Sequence, residues 1–393
     1  MGATATRQAL FIEPLDVLFL RGNKLFGDPG SFGESLIPPW PSVAAGAIRS
    51  ALHVHKGVDL EAFASGQVSD PELGTPQQPG SFRVVNFRLA RRFADGRVDF
   101  LCALPTDLVI RQDGNALECV RLQPTALPAG IQSSAVTKLH AVLPEQKRSK
   151  PESGYWLTHE GWLAYLEGNE LNVNSHLVRT SDLWGLDARV GVGLDPAKRS
   201  AAEGKLFTVQ AVALRKRHHG NGSDYDVGFL AEVEGVTISQ ELMLRFGGDG
   251  RAARASLVSS SPSEPGLTEQ IVRARRCRLI LTSPGIFPGG WLPTGAAQND
   301  TGEIRFELHG VRARLVCAAV PRVEVISGWN LAARQPKPAQ RVAPTGSVYW
   351  LDQLEATAQQ LHDLVVQGLW TDPPADPSRR TEGFNRFTWG LWP

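Results

Sequence analysis

Three glycine-rich stretches hold the residues best suited to chemistry in this sequence. Gly247-Gly248-Asp249-Gly250-Arg251 sets an arginine behind three glycines, with Arg254 close after it. Gly285, Gly289 and Gly290 precede Trp291 in a second loop; Gly22, Gly27, Gly30 and Gly33 mark a third, with Arg21, Lys24 and Arg49 in or near it. Glycine has no Cβ, so backbone N–H groups can approach an anion closely, and arginine or lysine beside them can pair with phosphate. The same glycines would equally serve as turns that need positive φ, with solvated arginines nearby. None matches G-x-x-x-x-G-K-[ST], so nucleotide hydrolysis has no support.

Ten tryptophans are many for 393 residues. Trp40, Trp291 and Trp329 stand beside proline or glycine in expected loops, where a ring can stack on an unpaired base or plug a core. Lys337 and Arg341 flank an extended proline-rich segment that suits RNA or a partner's groove. Arg273, Arg275, Arg276 and Arg278 form the densest basic run, readable as a phosphate track or as a solvated strand edge. Of nine histidines, His53 and His55 are the best placed for metal-free acid–base work, yet no partner base is fixed by spacing. No His, Cys and carboxylate cluster has metal-ligand spacing, and neither metal nor cofactor is expected. A carbohydrate- or peptide-binding protein would also use tryptophans and glycine loops, but the N-terminus lacks the plan of an export signal.

Positioning these groups requires a scaffold. A strand is expected over 9–20, then a helix capped by Ser42 with Val43, Ala47 and Ala51 on one face. Residues 206–217 and 225–235 read as a hairpin closed through Asn221-Gly222. A second unit opens near 275 with a strand running into a Gly/Pro loop, and strands follow near 311–326 and 345–351. Asp352 and Glu355 have capping-box spacing ahead of a stripe of Leu354, Ala358, Leu361 and Val365. The halves share a plan. Each opens with a strand feeding a glycine loop and closes on a turn, Gly248-Asp249-Gly250-Arg251 or Gly383-Phe384-Asn385-Arg386. Gly250 and Asn385 hold the same offset, and both types tolerate left-handed backbone. An internally duplicated α+β unit is the expectation.

Bulk properties narrow the partners. With 41 basic and 40 acidic residues the net charge is +1, so a polyanion would have to meet a local groove. Cys102, Cys119, Cys277 and Cys317 are widely spaced, which fits neither zinc nor a disulfide framework and suits a reducing cytoplasm. No run approaches the roughly eighteen apolar residues of a membrane span.

The order of PPWPSVAAGAIRSAL, RVGVGLDPAKRSAAEGKLF, GGDGRAA, PGIFPGGWLP and SGWNLAARQPKPAQRVAPTGSVY resembles the family of third subunits of the Cmr complex. That complex is the type III-B CRISPR effector, and the family lies within the RAMP superfamily. The family's RWGI-type stretch reads Arg189-Val190-Gly191-Val192-Gly193 here. The resemblance implies two tandem ferredoxin-like, RRM-like domains: 1–262, with an insertion around 55–180, and 270–393. It implies a non-catalytic, RNA-binding role at the 5′ repeat-derived tag of the CRISPR guide RNA. Neighbours would be the large polymerase-type subunit and a backbone RAMP subunit, with target RNA met indirectly. The expected RNA-binding residues are Arg21, Lys24, Trp40, Arg49, Gly247, Gly248, Gly250, Arg251, Arg254, Gly289, Gly290, Trp291, Trp329, Lys337 and Arg341. Some RAMP relatives process guide RNA without metal, which makes an endoribonuclease the alternative.

Overall fold

The computed structural model describes residues 7–22, 32–33, 35–113, 116–143, 150–195, 197–216, 224–258, 266–330 and 333–393. Its architecture is α+β, with mostly antiparallel sheets and few helices. Two compact units divide the chain. The first comprises 1–100, 180–261 and 326–339; the second comprises 101–179, 262–325 and 340–393. The segment 101–179, expected as part of an insertion in the first domain, thus packs with the second unit.

In the first unit, β1 (Gln8–Pro14) lies between β5 (Tyr225–Glu234) and β7 (Ala252–Val258), antiparallel to both. β2 (Arg83–Phe93) flanks β5, and the short β6 (Leu242–Arg245) flanks β7. The central strands carry the apolar runs: Leu10, Phe11 and Ile12 are wholly buried, as are Phe229 and Ala231. Helix α1 (Pro41–His55) covers one face, packing on β2 and β6. Buried Ala44, Ala45 and Ala47 let its backbone lie close to the strands, with Ile48 and Leu52 completing the contact.

A long ribbon belongs to the same unit. β3 (Trp184–Asp195) pairs antiparallel with β4 (Ser200–Leu214), and β4 takes Phe32–Gly33 on its other edge. This corrects the expected hairpin: 206–214 pairs with β3, whereas 225–234 pairs with β1 and β2. The ribbon's base is an apolar knot of Phe19, Val209 and Ala211, with Val17 and Phe207 against it.

In the second unit, β8 (Cys277–Leu281) lies between β11 (Val348–Glu355) and β12 (Phe387–Gly390), again antiparallel to both. β10 (Val311–Ala319) flanks β11, and β9 (Ile304–Leu308) flanks β10. Helix α4 (Ala358–Gln367) packs on β10 and β12, and α3 (Thr268–Ala274) packs on α4. Helix α2 (His159–Leu166), from the 101–179 segment, packs on β12.

Local signals misplaced two helix starts. α1 begins at Pro41 behind Trp40, with no side-chain cap, because proline already holds the helical φ at N1. Ser42 therefore lies inside the helix. Asp352, Leu354 and Glu355 belong to β11; the capping box is Thr357 with Gln360. The first strand ends at Pro14, not Leu20.

Candidate nucleic-acid interface

In the first unit, the turn before β7 meets the segment that leaves β1. Gly248 N–H donates to the Phe19 carbonyl (2.7 Å), Leu15 N–H to Ala252 (3.0 Å) and Phe246 N–H to Arg251 (2.8 Å). Gly247, Asp249 and Gly250 have positive φ (83°, 54° and 64°), so the glycines are required by backbone conformation. A Cβ on Gly247 would also fall 2.8 Å from the Phe19 oxygen. The turn presents Arg251 against Phe19, guanidinium 5.0 Å from the ring centre, with Nη1 donating to Asp16 at 2.7 Å. Its Nε is buried with no hydrogen-bond partner among the described residues. Arg21 reaches the same turn, 3.9 Å from Asp249. Arg254, on β7, points to the Glu13 carboxylate at 3.6 Å.

The structure therefore brings Arg21, Gly247, Gly248, Gly250 and Arg251 together around Phe19. Trp40 and Arg49 belong to α1: Trp40 precedes it, its indole N–H buried without a hydrogen-bond partner among the described residues, and Arg49 lies 5.7 Å from the Phe82 ring. Lys24 lies outside the described residues. Trp329 is 56% exposed on a small ladder, paired with Pro336. That ladder is tied by Lys337 N–H to Gly328 (2.8 Å) and Ser327 hydroxyl to the Lys337 carbonyl (2.7 Å).

In the second unit, too, the turn before the last strand meets the segment leaving the first, through different residues. Asn385 has φ 59°, and its N–H donates to the Pro284 carbonyl (3.0 Å) in the segment leaving β8, while Thr282 N–H donates to Arg386 (2.9 Å). Its side chain adds bonds to Ile286 N–H (2.6 Å) and the Leu369 carbonyl (3.0 Å). Gly289, Gly290 and Trp291 lie further along this loop, with Gly290 at φ 73° and the Trp291 carbonyl accepting from Tyr349 at 2.7 Å. Trp291 is half-buried and Arg341 is exposed.

Other sequence candidates resolve differently. Arg278 is wholly buried, so it is not a surface track. His53 is buried against Phe63 (ring centres 4.0 Å apart), with neither ring nitrogen hydrogen-bonded among the described residues. Burial, with Arg49 nearby, lowers its pKa from the ordinary value. His55 is exposed and meets Gln240 at 3.0 Å. Burial pushes the Cys119 and Cys317 thiols up to about 12, which suppresses thiolate chemistry. Among the described residues no group of three His, Cys, Asp or Glu could hold a metal, and no helix is long and apolar enough to cross a membrane.

One surface escaped the sequence reading. On β3, Leu186, Val190, Val192 and Leu194 share a face with Ala188, and all five are exposed, as is Leu206 across the ribbon. The alternation is plain in LDARVGVGLD, but that pattern marks a face to be buried without saying against what.

Residues 10–392 match the family described as CRISPR-associated protein (Cas_Cmr3). Two solved chains are similar over 97% of this chain and 96% of their own, each at 14% identity and a TM-score of 0.47. They come from cryo-EM structures of the Type III-B Cmr-beta bound to cognate target RNA, one also with AMPPnP (state 1). Among curated proteins none matches the sequence.

Proposed function

The chain belongs to this Cas_Cmr3 family of CRISPR-associated proteins, and from that premise we propose that it is the non-catalytic, guide-RNA-holding subunit of a type III-B effector. In this reading it grips the 5′ repeat-derived tag of the guide in the cytoplasm. It bridges the large polymerase-type subunit to the backbone RAMP subunits, serves antiviral defence and meets target RNA only through the guide. The observation that carries the reading is the family match, which spans both units.

The structure supports it in three ways. Numbering the principal strands one to four within each unit, both sheets run two-three-one-four, the order of a ferredoxin-like βαββαβ unit. Each unit retains one crossover helix, α1 in the first and α4 in the second. Around Phe19, Arg21 and Arg251 flank a turn whose glycines carry no Cβ to obstruct an approaching phosphate. The exposed aliphatic face of the ribbon suits a protein neighbour and explains how a chain of net charge +1 can serve an RNA complex: RNA needs only part of its surface.

The test is reconstitution with the sibling subunits and guides that carry or lack the tag. Omitting this chain should abolish preference for the tagged guide, and the isolated chain should not cut repeat RNA with or without divalent metal. Specific cutting that disappears in His55→Ala would establish the endoribonuclease alternative instead.

A further inference from the structure

The face of the first sheet that holds Glu13 and Arg254 carries a second group of cations. On β7 and β6, Ala253, Ala255, Leu242 and Leu244 are buried toward one side, while Arg254, Met243 and Arg245 are exposed on the other. Arg254 stands between Glu13 on β1 and Met243 on β6 in the sheet register. Arg245 is two residues further along the same face, the diagonal position roughly 7–8 Å away. Arg245 has no acidic partner among the described residues.

Glu13 organises this face. Its carboxylate is buried, yet it receives Arg92 at 2.6 Å, Arg254 at 3.6 Å and Lys216 at 3.9 Å. Arg92 comes from β2, two strands away, and also lies 3.8 Å from Asp226. Gly228 makes the reach possible. A Cβ there would fall 2.6 Å from the Phe11 ring, which occupies that space, and Arg92 passes over the same ring at 4.6 Å. One carboxylate thus holds three cations whose charge it cannot neutralise, with Arg245 beyond them. Counting Glu13 and Asp226 against Arg92, Arg254, Lys216 and Arg245, the patch keeps an excess of positive charge that a nucleic-acid backbone could neutralise.

We propose that Arg92, Lys216, Arg245 and Arg254 form a second phosphate-contacting track for single-stranded RNA, aligned by Glu13 and running across the sheet face from the two strands that the glycine turn joins. This rests on the reading of the chain as a guide-RNA holder. Arg245 and Arg254 contact phosphate; Glu13 is a positioning residue that acts through the arginines.

The experiment uses the full chain within the reconstituted complex, with single-stranded guide RNA titrated against salt. Arg245→Ala with Arg254→Ala should weaken RNA retention several-fold and reduce the salt slope by about 1.4, since each phosphate left unpaired lowers it by roughly 0.7. Glu13→Gln should lower the melting temperature, yet tighten RNA binding at low salt, because the cations lose their internal counter-charge. A merely structural Glu13 would lower the melting temperature and leave the salt slope alone, which overturns the proposal. Unchanged retention and slope in the double variant overturn it too, as does loss of a sibling subunit with RNA retention intact, which would make the face an acidic-protein contact. Failure of the underlying reading looks different: the unaltered chain would then show no dependence on the tag at all.

Discussion

Arg278 and Asp107 meet at 2.9 Å with neither side chain exposed at all. The carboxylate also accepts from the Tyr165 hydroxyl at 2.6 Å. The guanidinium donates to the carbonyls of Leu391 (2.8 Å) and Tyr165 (2.6 Å) and lies 4.3 Å from the Tyr165 ring. Arg121 flanks the ring at 5.4 Å and donates to Gly168 and Asn169. This network ties β8, α2, the 101–179 segment and the chain's last residues into one unit. A buried ion pair is dear to desolvate, and it persists where its remaining valences are hydrogen-bonded, as here.

Breaking the pair from one side should therefore be severe. Asp107→Asn or Arg278→Met should destabilise the second unit by about 3–5 kcal/mol, since each strands a buried charge. Tyr165→Phe removes one hydrogen bond and should cost about 1–3 kcal/mol. Joint replacement by Asp107→Leu and Arg278→Met should recover much of the single-variant loss. Denaturant midpoints measure all four; single variants with losses under about 1 kcal/mol would mean that water reaches the pair.

How much of this was legible beforehand follows from what each signal encodes. Positive φ at Gly250 and Asn385, 64° and 59°, was readable because Gly adopts it freely and Asn more readily than most residues. The Arg278 network was not, since nothing in a run of four arginines says which one turns inward until Asp107 arrives from 171 residues away. Nor could the ribbon's pairing be foreseen. Asn221-Gly222 lies outside the described residues, and such a local signal cannot say that 206–214 pairs with β3, a strand earlier in the chain. The glycine turns could be located; their surroundings, Phe19 with Asp16 and Pro284 with Ile286, depend on chain paths that no local pattern fixes.

The two turn glycines should respond differently to substitution. Gly250→Ala meets nothing within 4 Å, so only its φ of 64° is penalised, at about 1–2 kcal/mol. Gly247→Ala suffers the same φ penalty and a clash at 2.8 Å with the Phe19 oxygen, so it should cost more. Asn385→Gly should lose less than Asn385→Ala, because glycine keeps the backbone although both lose the side-chain bonds to Ile286 and Leu369. Thermal melts of the four variants decide this, and equal losses at 247 and 250 would show that the turn relaxes.

His53 should make the first unit acid-sensitive. Its folded-state pKa is lowered, chiefly by burial, so the unfolded chain binds the proton more readily. Stability from this group is fully present above the unfolded value near 6.5 and is lost as pH falls below it toward the lower folded value. His53→Phe removes the titration, so its stability should vary less than the parent's between about pH 7.5 and 5.5, a window centred on the histidine range. Parallel curves across that interval would show that His53 is hydrated in solution.

The ribbon's aliphatic face should matter to assembly and not to folding. Val190 is 69% and Leu194 is 65% exposed, so neither contributes much to the core of the isolated chain. From Leu186 to Leu194 the strip runs eight residue steps, roughly 26 Å at about 3.3 Å per step. Two strands are only about 5 Å apart. The resulting area falls well short of the roughly 800 Å² per partner of a standard interface, so the strip alone should not dimerise the protein. It would instead reinforce a neighbour already held by RNA or by other surfaces. Val190→Asp with Leu194→Asp should thus leave the melting point and the tagged-guide affinity of the isolated chain unchanged, surface changes of this kind usually staying within about 0.5 kcal/mol. In the reconstituted complex the same variant should lose a sibling subunit during size-exclusion chromatography. A complex of normal stoichiometry would mean that the strip faces solvent in the assembly, and weaker guide binding by the isolated variant would assign the ribbon to RNA.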